Sequence, residues 1–209
     1  MKLIIARPSP YARKARIALM EKGLVFETVV ENPWLPETQV PNANPLGKVP
    51  ALILDDGTVV HDSKVIIEYL ETLGAPPDLI PRAPELRVAH KQIEATADGI
   101  CDAVVLIALE GRRAPAMQSA DWVERQRCKI VAATHELSRL PGDKEWFTAA
   151  GFGLAEVATG CALDYIDFRY SAYDWRADAE NLLALHARLA ARHSFAQTKP
   201  APQVLPPLH

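Results

Sequence analysis

The chain has 209 residues, 49% of them apolar and 23% charged, with a net charge of −3, which argues against both a disordered chain and a basic nucleic-acid binder. No apolar run approaches a membrane span, and the start Met1-Lys2-Leu3-Ile4-Ile5 meets Arg7 and Pro8 too soon for a signal peptide. Cys101, Cys128 and Cys161 are odd in number and widely spaced, so they form no disulfide framework, and a reducing cytoplasm is the expected location.

The first eighty residues alternate strand and helix signals. Leu3–Ala6 is a short apolar run ended by Pro8 and Pro10. Tyr11, Ala15, Ala18 and Leu19 share a helical face, and Gly23 is placed to stop that helix. Phe26–Val30 reads as a strand, and residues 32–45, rich in Pro and Asn, as loop with at most a short helix. Ala51–Leu54 and Thr58–Val60 flank Asp55-Asp56-Gly57, a hairpin signal, and a helix over 63–73 follows. The strand–helix–strand unit favours parallel pairing and the hairpin antiparallel pairing, so a mixed sheet is expected.

Gly74–Pro84 contains four prolines and reads as a linker. Beyond it the pattern is helical throughout. Ile93, Ala97, Ile100, Val104 and Ile107 mark a long helix from near Glu85, and Ile130, Thr134 and Leu137 a second running from Ser119 or Asp121 to Leu140. Two more are expected over Leu154–Phe168 and Ala177–Ala191. The tail from Lys199 has four prolines, so it either packs as an extended strap or is mobile. The expected division is 1–78, a linker over 79–84, and an all-helical region over 85–209.

Two segments carry chemistry. In Asn44-Pro45-Leu46-Gly47-Lys48-Val49-Pro50-Ala51-Leu52, the proline ring disfavours helix at Val49. Val49 therefore enters the next strand extended, with backbone groups that a peptide ligand can pair with. A cis Val49–Pro50 bond is expected, since a turn there exposes those groups. Asp62-Ser63 precedes the periodic run Val65, Ile66, Tyr69, Leu70, and so belongs at a helix N-terminus, where N–H groups attract a carboxylate.

Ser9-Pro10-Tyr11, Gly47-Lys48-Val49-Pro50 and Asp62-Ser63 before Ile67-Glu68-Tyr69-Leu70 together resemble the glutathione S-transferases, over nearly the whole chain. The resemblance is to a bacterial, serine-type cytosolic member. It implies a thioredoxin-like N-terminal domain, an all-α C-terminal domain, glutathione as co-substrate, no metal, and a homodimer acting in detoxification. In this pattern Ser63 and its N–H receive the γ-glutamyl carboxylate, Asp62 helps hold the ammonium, and Val49 and Lys48 complete the glutathione contacts. Tyr11 and Trp34 are candidates for the electrophile pocket, which in the family also draws on the first long helix of the second domain, here Val104–Arg113.

Ser9 is a plausible helix cap with Pro10 at the first helical position, which alone explains both residues. The resemblance adds a catalytic role, with the hydroxyl facing the glutathione thiol. Ser9 stands where thiol-transferring relatives have cysteine, and the absence of any cysteine before Cys101 argues against mixed-disulfide chemistry. A free thiol titrates near about 8.5, so lowering its pKa by about two units needs roughly 2.7 kcal/mol of thiolate stabilisation. A hydroxyl hydrogen bond supplies roughly 1.5–3 kcal/mol and a helix N-terminus about 0.3–1 kcal/mol more. Neither a metal nor a dedicated base is required.

Arg13, Lys14 and Arg16 oppose the dipole of the first helix, and read as a solvated basic face, with attraction of an anionic ligand as the alternative. Gly153 stands where the family has a Ser/Thr cap, with Glu156 three residues on able to reach back to a backbone donor. His90, His135, His186 and His193 are dispersed, with no compact metal-ligand set. The expected function is conjugation of glutathione to small electrophiles. The alternatives are a glutathione-dependent isomerase or dehalogenase, or a non-catalytic glutathione-binding interaction module. Neither nucleic acid nor a membrane is an expected partner.

Overall fold

The computed structural model describes residues 1–142 and 144–203. The chain forms two compact units. One comprises Met1–Ile80 with His193–Gln203, and the other Pro81–Arg192.

The first unit is a four-stranded mixed sheet with helices. Strands β1 (Lys2–Ile5) and β2 (Glu27–Val30) are parallel and flank helix α1 (Pro10–Glu21) in sequence. Helix α2 (Val40–Ala43) precedes the hairpin of β3 (Ala51–Ile53) and β4 (Val59–Val60), and α3 (Ser63–Thr72) follows. The strand order is β2-β1-β3-β4, with β3 antiparallel to β1, as the thioredoxin-like arrangement requires.

Side chains of a strand alternate between faces. Leu3, Ile5 and Leu52 are buried with Ile17 and Leu19 of α1 and Ile66, Ile67 and Leu70 of α3. Ile4 and Ala51 pack on the other face with Val40 of α2. Helix α1 ends at Gly23, whose φ of +63° suits a residue without Cβ. Gly23 N–H donates to Met20 O and Leu24 N–H to Leu19 O, each at 3.0 Å, which closes the helix in a Schellman motif.

The proline-rich segment after α3 is fastened by Lys22. Its Nζ donates to Ala75 O at 2.8 Å and Pro77 O at 2.9 Å, and pairs with Glu71 at 3.0 Å. Buried ammonium groups persist where partners are this numerous.

The second unit is helical: α4 (Pro84–Glu110), a 3₁₀ turn (Pro115–Met117), α5 (Ala120–Arg139), α6 (Leu154–Arg169), α7 (Trp175–Asp178) and α8 (Asn181–Ala190). Ile93, Ala97, Ile100 and Val104 of α4, and Ile130, Thr134 and Leu137 of α5, are buried as their periodicity predicts. Helix α6 is buried from Leu154 through Leu163 and is the central helix of the unit.

The expected single helix over Ala177–Ala191 is instead two. Asp174 caps an earlier start through Arg176 N–H at 3.2 Å, the fully buried Trp175 anchors the short α7, and Ala179 leaves helical backbone at φ −139°, ψ 55°. The short helix α9 (His193–Ala196) packs against α1 in the first unit, and residues 199–203 run on as an extended strap. The rest of the proline-rich tail lies outside the described residues. Among the described residues, no helix is long and apolar enough to cross a membrane.

Candidate functional site

Strand direction brings the predicted residues to one edge of the first unit's sheet. Strands β1 and β2 both run toward this edge, β3 starts from it and β4 returns to it. Ser9, Val49, Asp62 and Ser63 therefore leave neighbouring strands at the same end, the end where ligands bind in open α/β sheets.

Ser9 is the N-cap of α1, and its Oγ accepts the Ala12 N–H at 3.1 Å, with Pro10 following at the first helical position. A hydroxyl that accepts through a lone pair keeps its proton to donate. Capping and thiolate stabilisation are therefore compatible in one side chain.

Lys48 is exposed and Val49 half-buried, in a turn built by Asn44. The Asn44 side chain accepts from Leu46 N–H at 3.0 Å and donates to Lys48 O at 2.9 Å, while Gly47 N–H returns to Asn44 O at 2.8 Å. Gly47 has φ +63°, which permits this return. The Val49–Pro50 bond is cis, as expected, and pairing with β1 begins only at Ala51. Asn44 is 1% exposed, and its structural role was readable from its place before a Pro-Leu-Gly turn.

Asp62 is the exposed N-cap of α3, its Oδ1 accepting Lys64 N–H at 2.9 Å, and Ser63 opens the helix, buried at 2% exposure. Trp34 is exposed in the loop after β2, where its N–H donates to Asn32 Oδ1 at 3.1 Å, and Tyr11 is half-buried in the first turn of α1.

The basic residues of α1 differ from expectation. Arg13 and Lys14 are only 3% and 1% exposed, so they form no solvated face. Arg13 donates from Nε to Thr198 Oγ1 and from Nη2 to Phe195 O, both at 3.3 Å, and lies over the Phe195 ring. Arg16 donates to Gln197 O at 3.3 Å, and burial, with the neighbouring Arg13 charge, lowers its pKa. These two arginines hold the C-terminal segment of the chain.

Within the second unit, one constellation departs from the dispersed-histidine reading. Donor atoms of Asp164, Asp167 and His186 lie within 4.8 Å of one another. Asp167 is already paired bidentately with Arg176, at 2.8 and 2.6 Å, and accepts from Trp175 Nε1 at 2.9 Å. His186 Nε2 meets Asp164 at 2.6 Å. The cluster is a hydrogen-bonded tie between α6 and the helices after it.

The sequence model of the glutathione S-transferase N-terminal domain matches residues 8–73. An uncharacterized GST-like protein of Escherichia coli K12, YibF, is 40% identical over 96% of this chain and 98% of its own length. The chain belongs to the glutathione S-transferase family. A glutathione S-transferase of Methylobacterium radiotolerans, solved in complex with glutathione sulfonate, shares 46% identity with a TM-score of 0.95, covering 98% of this chain and 97% of that one. A maleylacetoacetate isomerase of Pseudomonas aeruginosa is 32% identical over 97% of each chain.

Proposed function

We propose that the protein is a glutathione transferase that ionises the thiol of glutathione at the edge of the sheet and presents it to a small electrophile. The observation that carries this reading is Ser9, whose hydroxyl caps α1 as an acceptor and retains a proton to donate. The likeness to a transferase bound to glutathione sulfonate supports the choice of ligand. In this reading Val49 pairs with the peptide backbone, Ser63 and the α3 N-terminus receive the γ-glutamyl carboxylate, and Asp62 and Lys48 meet the ligand's charged groups. Tyr11 and Trp34 flank the electrophile.

The thiol proton leaves to solvent while the Ser9 O–H stabilises the thiolate. The sulfur then attacks the electrophilic carbon, forming a C–S bond as the leaving group departs with its electron pair. Homodimeric assembly is part of this reading. So is a cytoplasmic location, which fits the free Cys101, Cys128 and Cys161.

A second reading, a glutathione-dependent isomerase, is favoured by the likeness to maleylacetoacetate isomerase. The two differ in stoichiometry, because conjugation consumes glutathione and isomerisation returns it. The deciding experiment is a spectroscopic titration of bound glutathione, followed by a thiol count during turnover of an aryl halide. A thiolate persisting well below pH ~8.5, with one thiol lost per product, is expected. Binding with an unshifted thiol makes the protein a non-catalytic binding module, and turnover of a cis-alkene without thiol loss makes it an isomerase.

A further inference from the structure

Beyond the strands proper, the parallel ladder of β1 and β2 continues for one rung, Glu31 N–H donating to Ile5 O at 2.8 Å. In a regular parallel ladder the next rung runs from Arg7 N–H to Glu31 O. Here a side chain takes that place. Arg7 N–H donates to Gln203 Oε1 at 2.9 Å, and Gln203 Nε2 donates to Glu31 O at 3.0 Å. One amide accepts from the end of one strand and donates to the end of the other, as an inserted peptide group would. The two strand ends are held apart by the width of that amide.

Arg7 lies inside the turn that delivers Ser9, closed by Ser9 N–H to Ala6 O at 3.0 Å. The Arg7 carbonyl is met from the same strap, by Ala201 N–H at 3.5 Å. The strap is itself fixed upstream, where Arg13 holds Phe195 O and Thr198 Oγ1, and Ser194 Oγ donates to Glu21. Pro200 and Pro202 restrict the chain just before Gln203, so its amide is presented with little entropy left to lose.

We infer that Gln203 is a positioning residue for the thiol site: by replacing the missing rung between Arg7 and Glu31, it fixes the turn that aims the Ser9 hydroxyl. The inference rests on the reading of Ser9 as the thiol's partner. The same amide governs where the chain after Glu31 departs toward Trp34, so it joins both sides of the sheet edge.

The test uses Gln203→Ala and Gln203→Glu in the full chain, with amide hydrogen exchange at Arg7 and titration of bound glutathione. Gln203→Ala should speed Arg7 exchange about tenfold. It should also raise the bound thiol pKa by about half a unit, with glutathione affinity within about twofold of wild type. Gln203→Glu keeps the volume and an acceptor for Arg7, so Arg7 should stay protected and the thiol should shift less. Unchanged Arg7 exchange in Gln203→Ala overturns the rung. Faster exchange with an unchanged thiol titration overturns the positioning role and leaves a structural strap. Wild-type protein that binds no glutathione in calorimetry instead removes the functional reading beneath, a result distinct from either.

Discussion

His90 Nδ1, on α4, accepts the backbone N–H of Ala155 at 3.4 Å, inside the first turn of α6, 65 residues away. Gly153, the N-cap of α6, has no side chain to do this. The imidazole supplies the missing acceptor from another helix, and its Nε2 meets Thr148 Oγ1 at 2.9 Å. With Nδ1 accepting, the ring is the neutral Nε2–H tautomer, donating to Thr148. Full burial fits this state and pushes the His90 pKa down to about 4.

His90→Phe should therefore cost about 1–3 kcal/mol, because it leaves a buried N–H of α6 without its acceptor. His90→Gln, which retains an acceptor on a shorter reach, should recover part of that loss. Urea unfolding of the two variants checks this, and equal stability of His90→Phe and wild type refutes it.

Glu156 completes the same helix start, accepting Gly153 N–H at 2.8 Å and Phe147 N–H at 3.0 Å. Its carboxyl is fully buried, and desolvation raises its pKa to about 7. Between the ordinary value of 4.5 and 7 the folded state holds a proton that the unfolded chain has released. Stability from Glu156 is thus complete below about pH 4.5 and lost as pH rises through 7, by about 3 kcal/mol at most. His90 acts oppositely, its contribution present above pH 6.5 and lost as pH falls toward 4. The two offset one another in the overlap, so the decline above about pH 6.5 belongs to Glu156. Urea midpoints should fall between about pH 6 and pH 8 in wild type and stay level in Glu156→Gln. A flat wild-type profile sinks the assignment.

Ser9→Ala should raise the bound thiol pKa by about one to two units and lose activity at neutral pH that partly returns in alkaline buffer. It should also lower stability by about 1 kcal/mol, because the cap is lost. Ser9→Gly separates the two roles, since glycine caps cost only a few tenths of a kcal/mol while lacking the hydroxyl. Matching thiol shifts with different melting temperatures are expected. An unchanged pH–rate profile in both variants leaves Ser9 a cap alone.

Ser63→Ala should weaken glutathione binding by about tenfold with little loss of fold, the size of one charge-assisted hydrogen bond. Asp62→Asn keeps a cap for Lys64 N–H but removes the charge, so it should weaken binding without lowering the melting temperature. Isothermal calorimetry on both variants decides, and wild-type affinity in both would move the carboxylate site elsewhere.

The sheet, its mixed pairing and the caps of α1 and α3 were legible because each rests on local chemistry: Ser9-Pro10, Asp55-Asp56-Gly57 and Asp62-Ser63 act within four residues of where they stand. The buried faces of α4 and α5 were legible through periodicity. What escaped acts at long range. Arg13 and Arg16 read as solvated because nothing near them in sequence announces Phe195 and Gln197 as partners. His90 serves a helix that begins more than sixty residues later. The break at Ala179 was hidden because Ala177–Ala191 is helix-forming in composition, and the burial of Trp175 overrode that preference.

The partners of Arg13 have a consequence for how the protein is made. Thr198 and Phe195 reach the first unit only after the whole of Pro81–Arg192 has been synthesised. At typical elongation rates, those 112 residues (192 − 81 + 1) take roughly 6–20 s. Through that interval the nascent sheet and α1 are without the contacts that Arg13 makes to Phe195 and Thr198. Residues made after the second unit complete the first, so a chain stalled within Pro81–Arg192 carries an incomplete N-terminal unit however well its helices have packed.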